Sequence, residues 1–495
     1  MGGGREVCRG ISRAVNSVQL QHRSRDGEDL SGCDSVLRAS SPATDPQRNE
    51  NGNMSEKVLT VHPGRREETV NLGAGPSMLP TSVLETACQS LLDYEQSGMG
   101  ITEISHRSST FQAIVDKAEA DLRSLLGIGD EFAVLFTQGG GTEQFSATAL
   151  NLMARHAQQY PDFWRKQADQ PRVAGKRRVR GPPADYAISG SWSAKAFKEA
   201  TRLGFDAKAV FDSRKAPGAE GKFGAIPEPA SWTLSPHDEV PPAFLYYCDN
   251  ETVDGVEYNF QADGKQGFCV GDIPTAYLEK VPLVADMSSN ILSRPIPDLE
   301  RHALIFFGAQ KNVGPPGVTI LIVRRDLVVD PDAAICQEVD LPAIPTTLVY
   351  KNLLDNKSLY NTPSMFSIYV SGLVFEDLLK NRGGVTGAGE RSAQKSEAVY
   401  STLDALPIYR PTVASKQARS RMNITFRIVG ADGKPDEVLE AAFVKACTAK
   451  AITQVKGHRS VGGIRTSLYN AVTVEHAERL VSVLKDFAAQ NSQKA

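Results

Sequence analysis

What the chain lacks narrows its role first. No apolar run approaches the roughly 18 residues that cross a bilayer, so a membrane partner is not expected. Positive charge is not in excess: 55 Lys and Arg stand against 58 Asp and Glu, a net charge of -3. That balance argues against nucleic acid or an anionic surface as the main partner, so any anion site must be local. The seven cysteines (Cys8, Cys33, Cys88, Cys248, Cys269, Cys336, Cys447) are far apart and form no CxxC, which points to a reduced compartment rather than a disulfide framework. There is no GK[ST] loop and no GxGxxG, so nucleotide binding has poor support. No metal is expected.

What is present is a chain of 495 residues, 41% hydrophobic, long enough for two domains and extra segments. Residues 1–68 are rich in Arg, Ser, Asp, Gly and Asn without periodic apolar positions, and are expected to be disordered. Arg5, Arg9, Arg13, Arg23 and Arg25 against Glu6 mildly resemble a mitochondrial presequence. The favoured expectation is an extension without its own function, or a start placed ahead of Met54, and a cytoplasmic location. Mitochondrial or plastid targeting is the alternative.

Residues 281–323 organise the rest. VPLVAD is an apolar run ending in Asp286, ALIFFGAQK is another ending in Lys311, and VTILIV follows a Gly/Pro turn. Continuous apolar runs suit a sheet covered on both faces, and strand ends are where open α/β folds place ligands. Taken singly, Asp286 reads as a turn cap and Lys311 as a surface lysine. Together in this apolar, Gly/Pro-rich segment they suit pyridoxal phosphate chemistry, in which an amine forms an imine and a carboxylate keeps the pyridine nitrogen protonated.

ADMSSNILSRP followed by GAQKNVGPPG resembles the cofactor segment of the phosphoserine aminotransferase family, class V pyridoxal-phosphate enzymes of fold type I, and the likeness extends from about Val70 to Ala489. The resemblance implies an α/β fold: a large domain with a mostly parallel seven-stranded sheet, over about 83–387, and a smaller α/β unit from 69–82 and 388–495. It also implies a homodimer with shared active sites.

The other motifs are weak alone and gain roles from the resemblance. VNLGAGPSMLP is a strand, a turn and a helix with a Ser82–Glu85 capping box, and Ala74 would face substrate. EISHR places His106 and Arg107 before a helix with a Ser109–Gln112 box, whose buried face is Phe111, Ile114, Val115, Ala118, Leu122 and Leu125 and which stops at Gly127. In FTQGGGTEQF, glycines let backbone approach a phosphate at a helix start, and the resemblance gives Gly141 and Thr142 that task, with Gln310. Trp192, opening a helix after a strand, reads as core or as a plate against a flat ring, and the resemblance favours the plate. Thr252 in CDNETVDG would meet the phenolic oxygen of the cofactor. Asn361 and Thr362 of NTP would reach the other subunit's cofactor phosphate. KGHRSVGGIRTSLYN gathers His458, Arg459 and Arg465 around glycines, a poor core but a good way to present cations.

Residues 154–184 read as a surface insertion with a basic cluster at Lys176, Arg177, Arg178 and Arg180; residues 213–232 and 258–267 read as further inserts. The glycines of 383–389 suggest a hinge, and the last helix is expected to bury Leu480, Val481, Leu484 and Phe487. The implied activity is ping-pong transfer of an amino group from L-glutamate to 3-phosphohydroxypyruvate, giving O-phospho-L-serine and 2-oxoglutarate in serine biosynthesis. Two alternatives are another class V reaction and a catalytically silent pyridoxal-binding protein. Cysteine desulfuration needs a mobile cysteine, and none is expected beside a site motif.

Overall fold

The computed structural model describes residues 64–169, 181–216, 219–258 and 270–491. The chain divides between residues 61 and 62, and all that follows concerns the second unit. Residues 1–63 and the basic cluster at 176–180 lie outside the described residues.

Fourteen strands are described: β1 (Val70–Asn71), β2 (Phe132–Thr137), β3 (Pro183–Ile188), β4 (Asp206–Asp212), β5 (Leu245–Cys248), β6 (Asn250–Glu251), β7 (Val256–Glu257), β8 (Leu283–Asp286), β9 (Leu304–Gly308), β10 (Thr319–Arg324), β11 (Tyr409–Pro411), β12 (Asn423–Ile428), β13 (Ile452–Thr453) and β14 (Ile464–Ser467). Seven form one sheet in the order β2-β10-β9-β8-β5-β3-β4, in which β10 alone runs against its neighbours. This is the mostly parallel seven-stranded sheet that the resemblance implies.

The unbroken apolar runs have the expected cause. Ile305 and Phe307 of β9 enter one core with Leu283, Ala285 and Ile320, while Leu304 and Phe306 enter another with Val284, Tyr246 and Leu321. Both faces are therefore covered, and alternation in polarity would have left a charge buried on one side. Helix Ser109–Leu126 buries all six of its expected core positions against the first face and ends at Gly127, whose φ of 68° suits glycine.

The smaller region is built on the antiparallel order β11-β12-β14, with helices Glu437–Ala449 and Val474–Asn491 closing a third core. β1 pairs in parallel with β13, so Val70 and Leu72 enter that same core.

Several local expectations are corrected. Helix Thr81–Leu92 starts after Pro80 without a side-chain cap, so the Ser82 box does not form. On the next helix the cap is Ser108, which accepts the Phe111 N–H, and Gln112 bonds Asp116 instead. Residues 64–68, expected to be disordered, form a short helix because Arg66 bonds the Leu79 carbonyl and the Thr81 hydroxyl. The expected insertion at 154–184 is core over its first half. Helix Gly140–Gln159 runs into its start, and helix Pro161–Ala168 buries Trp164 at 1% exposure, with its Nε1 donating to His156. The glycines expected to form a hinge mostly lie inside helix Gly384–Ala405, where Gly389 passes close to Arg294. Tyr258, placed in an insert, is fully buried. On the last helix Val483 is buried and Val481 only partly so.

Candidate active site

The carboxyl ends of the parallel strands deliver the key side chains to one place. Cys248, Asp286 and Phe306 are successive partners across β5, β8 and β9. They share a face, so Asp286 ends its strand beside the second core, where an unpaired charge is costly. The turn after β9 carries Gln310 and Lys311, the first turn of helix Gly140–Gln159 after β2 carries Gly141 and Thr142, and the loop after β3 opens the helix bearing Trp192. All of these but Phe306 line a cavity of about 220 Å³, together with Ala74, Thr252, His458 and Arg465.

Asp286 is 5% exposed and accepts the Ser288 N–H at 2.9 Å. Burial raises its pKa, and Lys311 and the Ser288 bonds oppose that rise. Lys311 donates from Nζ to Thr252 Oγ1 at 2.7 Å. Its amine is held below the ordinary lysine range by burial, with Asp286 pulling the other way and Arg465 adding to the decrease. The Ser77 hydroxyl donates to the Lys311 carbonyl and fixes the turn.

The glycine loop approaches closely. A Cβ on Gly141 would lie 3.4 Å from Ser288 Oγ and 3.5 Å from Asp286 Oδ2, and one on Gly75 would lie 3.3 Å from Lys311 Cγ. A side chain at Gly141 would project into the space before Asp286. Gly139 and Gly140 both adopt positive φ, at 84° and 67°, which turns the chain from β2 into the helix.

Trp192 is set by its neighbours more than by its own packing. Glu251 accepts the N–H groups of Trp192 and Ser193, each at 2.8 Å, and a Cβ on Gly190 would collide with its side chain. Lys195 Nζ lies 3.8 Å from the centre of the indole. The buried Trp192 Nε1 has no hydrogen-bond partner among the described residues.

Arg465 donates to the Thr252 carbonyl at 3.3 Å, and burial lowers its pKa. The His458 pKa is lowered by burial first and then by Arg465, Lys195 and Arg459.

Five expected site residues are absent from this cavity. Arg107 and Arg459 are exposed, and His106, Asn361 and Thr362 lie elsewhere on this chain. His106 and Thr362 share a hydrogen bond of 3.1 Å although 256 positions separate them, so EISHR and NTP form one patch.

Phe145, Asn250, Ser288, Ser289 and Cys248 also line the cavity, although no motif in the sequence assigns them to it. Glu251 and Lys195, likewise unmarked in the sequence, act on Trp192. The expectation that no cysteine sits beside a site motif is corrected, since Cys248 opens CDNETVDG and reaches the cavity. It is 3% exposed, and burial holds its thiol well above the usual range, unlike a mobile thiolate.

The buried acid, the amine with a lowered pKa, the glycine cradle and the indole fit pyridoxal phosphate. Asp286 suits a ring cation, Lys311 a carbonyl carbon, and the start of helix Gly140–Gln159 a phosphate.

Comparison with known proteins agrees. The aminotransferase class-V family model matches residues 69–162 and 246–480. The chain is 39% identical over 422 residues to the phosphoserine aminotransferase of Drosophila melanogaster, covering 85% of this chain and 99% of that one. The solved phosphoserine aminotransferase from Bacillus circulans subsp. alkalophilus superposes with a TM-score of 0.69 at 35% identity, covering 86% of this chain and 99% of the other. The pyridoxal-phosphate-bound phosphoserine aminotransferase from Trichomonas vaginalis gives 0.67 at 32% identity, covering 84% and 99%.

Proposed function

The chain belongs to the class-V aminotransferases and, among them, to the phosphoserine aminotransferase family, and from that premise we propose how its own residues divide the work. The reaction is transfer of an amino group from L-glutamate to 3-phosphohydroxypyruvate, with pyridoxal phosphate as cofactor. When bound, that cofactor supplies an electron sink for a carbanion at the substrate Cα.

Lys311 carries the chemistry. Its lowered pKa leaves a larger neutral fraction of the amine at neutral pH, able first to attack a carbonyl carbon and then to take and return the Cα proton. Thr252, as its hydrogen-bond partner, orients Nζ while the amine is free. Asp286, buried at the floor of the cavity, supplies the compensating negative charge, and Lys311 and the Ser288 bonds favour that charge against the rise in pKa that burial causes. Trp192 forms a flat wall, and Gly141 and Thr142 present donors at a helix start. Gln310 lines the same space. Arg465 and His458 take substrate oxyanions, with Ala74 contributing backbone only.

His106, Arg107, Asn361 and Thr362 complete the site of a second copy in a homodimer. Support comes from their own clustering through the His106–Thr362 bond and their separation from this chain's cavity. Arg459, exposed beside His458, adds a further substrate cation. The protein works in the cytoplasm. Among the described residues no helix is long and apolar enough to cross a membrane.

The observation that carries the reading is Lys311 Nζ bonded to Thr252 beside buried Asp286 in one cavity. Its test is catalytic efficiency with 3-phosphohydroxypyruvate against unphosphorylated hydroxypyruvate. A clear preference for the phosphorylated ketoacid is expected, and no preference would remove the phosphoserine assignment.

A further inference from the structure

A second cavity, of about 770 Å³, lies against the first, and Val253, His458 and Arg465 line both. Its far wall is made by Lys222 and Phe223, from the segment after β4, and by Arg410 and Arg427 of β11 and β12. Lys222 and Phe223 fall between the two blocks matched by the family model, in a stretch that the sequence reading set aside as an insert.

The charges there do not cancel. Arg214 is held by Asp212 at 2.6 Å, and Arg427 by Glu440 at 2.6 Å. Asp254, the one carboxylate among the described lining residues, accepts the N–H and hydroxyl of Ser191 at 2.6 and 3.1 Å. Lys222, Arg410 and Arg465 remain, with no carboxylate within 4.0 Å among the described residues. Arg410 uses one N–H on the Gly433 carbonyl and Arg465 one on the Thr252 carbonyl, which leaves donors on both guanidinium groups.

We propose that this outer cavity is a second anion site that takes a small phosphomonoester and stages it beside the catalytic cavity. A dianion gains from three cations that no carboxylate opposes, Lys222 and Arg410 from the exposed side and Arg465 from the half-buried side, and the guanidinium fork matches phosphate oxygens. Because Arg465 faces both cavities, a phosphate held by Lys222 and Arg410 is already next to a group that meets it inside. The inference rests on the phosphorylated-substrate reading above. It adds a staging site that acts on capture rather than on the chemical step.

The test uses the holoenzyme carrying Lys222→Ala and Arg410→Ala, neither of which touches the catalytic cavity. Efficiency is measured with 3-phosphohydroxypyruvate and with hydroxypyruvate across ionic strength, and inorganic phosphate binding is followed by phosphorus NMR. At low salt the double variant is expected to lose roughly tenfold in kcat/KM for the phosphorylated ketoacid, with kcat and the hydroxypyruvate efficiency unchanged. The salt dependence should flatten, and phosphate should bind more weakly by a similar factor. A double variant with unaltered efficiency and phosphate binding overturns the site, even where the parent prefers the phosphorylated ketoacid. If the parent shows no such preference, the reaction reading fails instead, and weaker or unchanged phosphate binding in the double variant still decides the site. Arg410→Lys, which keeps the charge, should restore most of the loss and so separates charge from misfolding.

Discussion

Glu251 holds Trp192 by its backbone. The carboxylate accepts the Trp192 and Ser193 N–H groups, each at 2.8 Å, from within a fully buried side chain. Removing it leaves two N–H groups at a helix start without their acceptor, at about 1–3 kcal/mol each. Glu251→Ala should therefore loosen the indole wall and weaken cofactor affinity by roughly tenfold or more. Equilibrium dialysis of pyridoxal phosphate reads this, with Trp192 fluorescence as a second signal. Unchanged affinity would make Glu251 a residue of the fold alone.

Lys311→Ala should give a folded protein that still binds pyridoxal phosphate but cannot attach it covalently. Borohydride treatment followed by peptide mapping checks the assignment, because the parent should carry its label on Lys311. A label on Lys195, the other amine near Trp192, would reverse the roles of the two lysines.

Mixing two inactive variants tests the shared site. Lys311→Ala removes the amine from one cavity, and Arg107→Leu removes an exposed cation that lies away from its own chain's cavity. If Arg107 serves the partner's site, a mixed dimer holds one site with both residues intact. Co-refolded mixtures should then recover about a quarter of parental activity, half of the sites in the half of dimers that are mixed. No recovery would place Arg107 outside the shared site.

Acid should weaken the fold through two buried histidines. His156 accepts from Trp164 Nε1 and bonds the Pro241 carbonyl, and His302 lies 2.7 Å from the Tyr247 hydroxyl. Burial lowers both to about 4 from the ordinary histidine value of 6.5. Between these values the unfolded chain binds more protons than the folded one, so stability falls as pH drops from 6.5 towards 4 and is unaffected well above 6.5. Each contributes about 2 kcal/mol of loss by pH 5. Denaturant midpoints at pH 8 and pH 5 check this, and His156→Gln should remove part of the difference.

Much of this fold was legible because burial on both faces of a sheet leaves a plain mark. The runs ending in Asp286 and Lys311 became β8 and β9 with the turn that follows it, and the helix after EISHR buried its expected face. Helix starts were harder, since a Ser-x-x-Gln pattern one residue off still looks like a cap. Trp164 was hidden for a different reason: its surroundings RHAQQYPDFWRKQ are polar, and only the His156 contact in three dimensions marks the indole as core. Cys248 entered the cavity through strand register, and Asn250 and Ser289 through their hydrogen bonds to each other, neither of which adjacent sequence displays. Arg107 and Thr362 were selected by likeness, while their distance from this chain's cavity depends on topology.

The pairing of β1 with β13 governs when the catalyst can exist during synthesis. Tyr469 donates to the Ala74 carbonyl across 395 positions, and Arg465 lies a few residues before it. On the ribosome, the segment bearing Ala74 must wait for nearly the whole chain before its neighbours emerge. Lys311 and Asp286 are translated long before that wall is complete. A truncated chain ending before β13 has all seven strands of the large sheet yet lacks His458 and Arg465 from the wall beside Lys311, so the cavity gains its cations only as translation finishes.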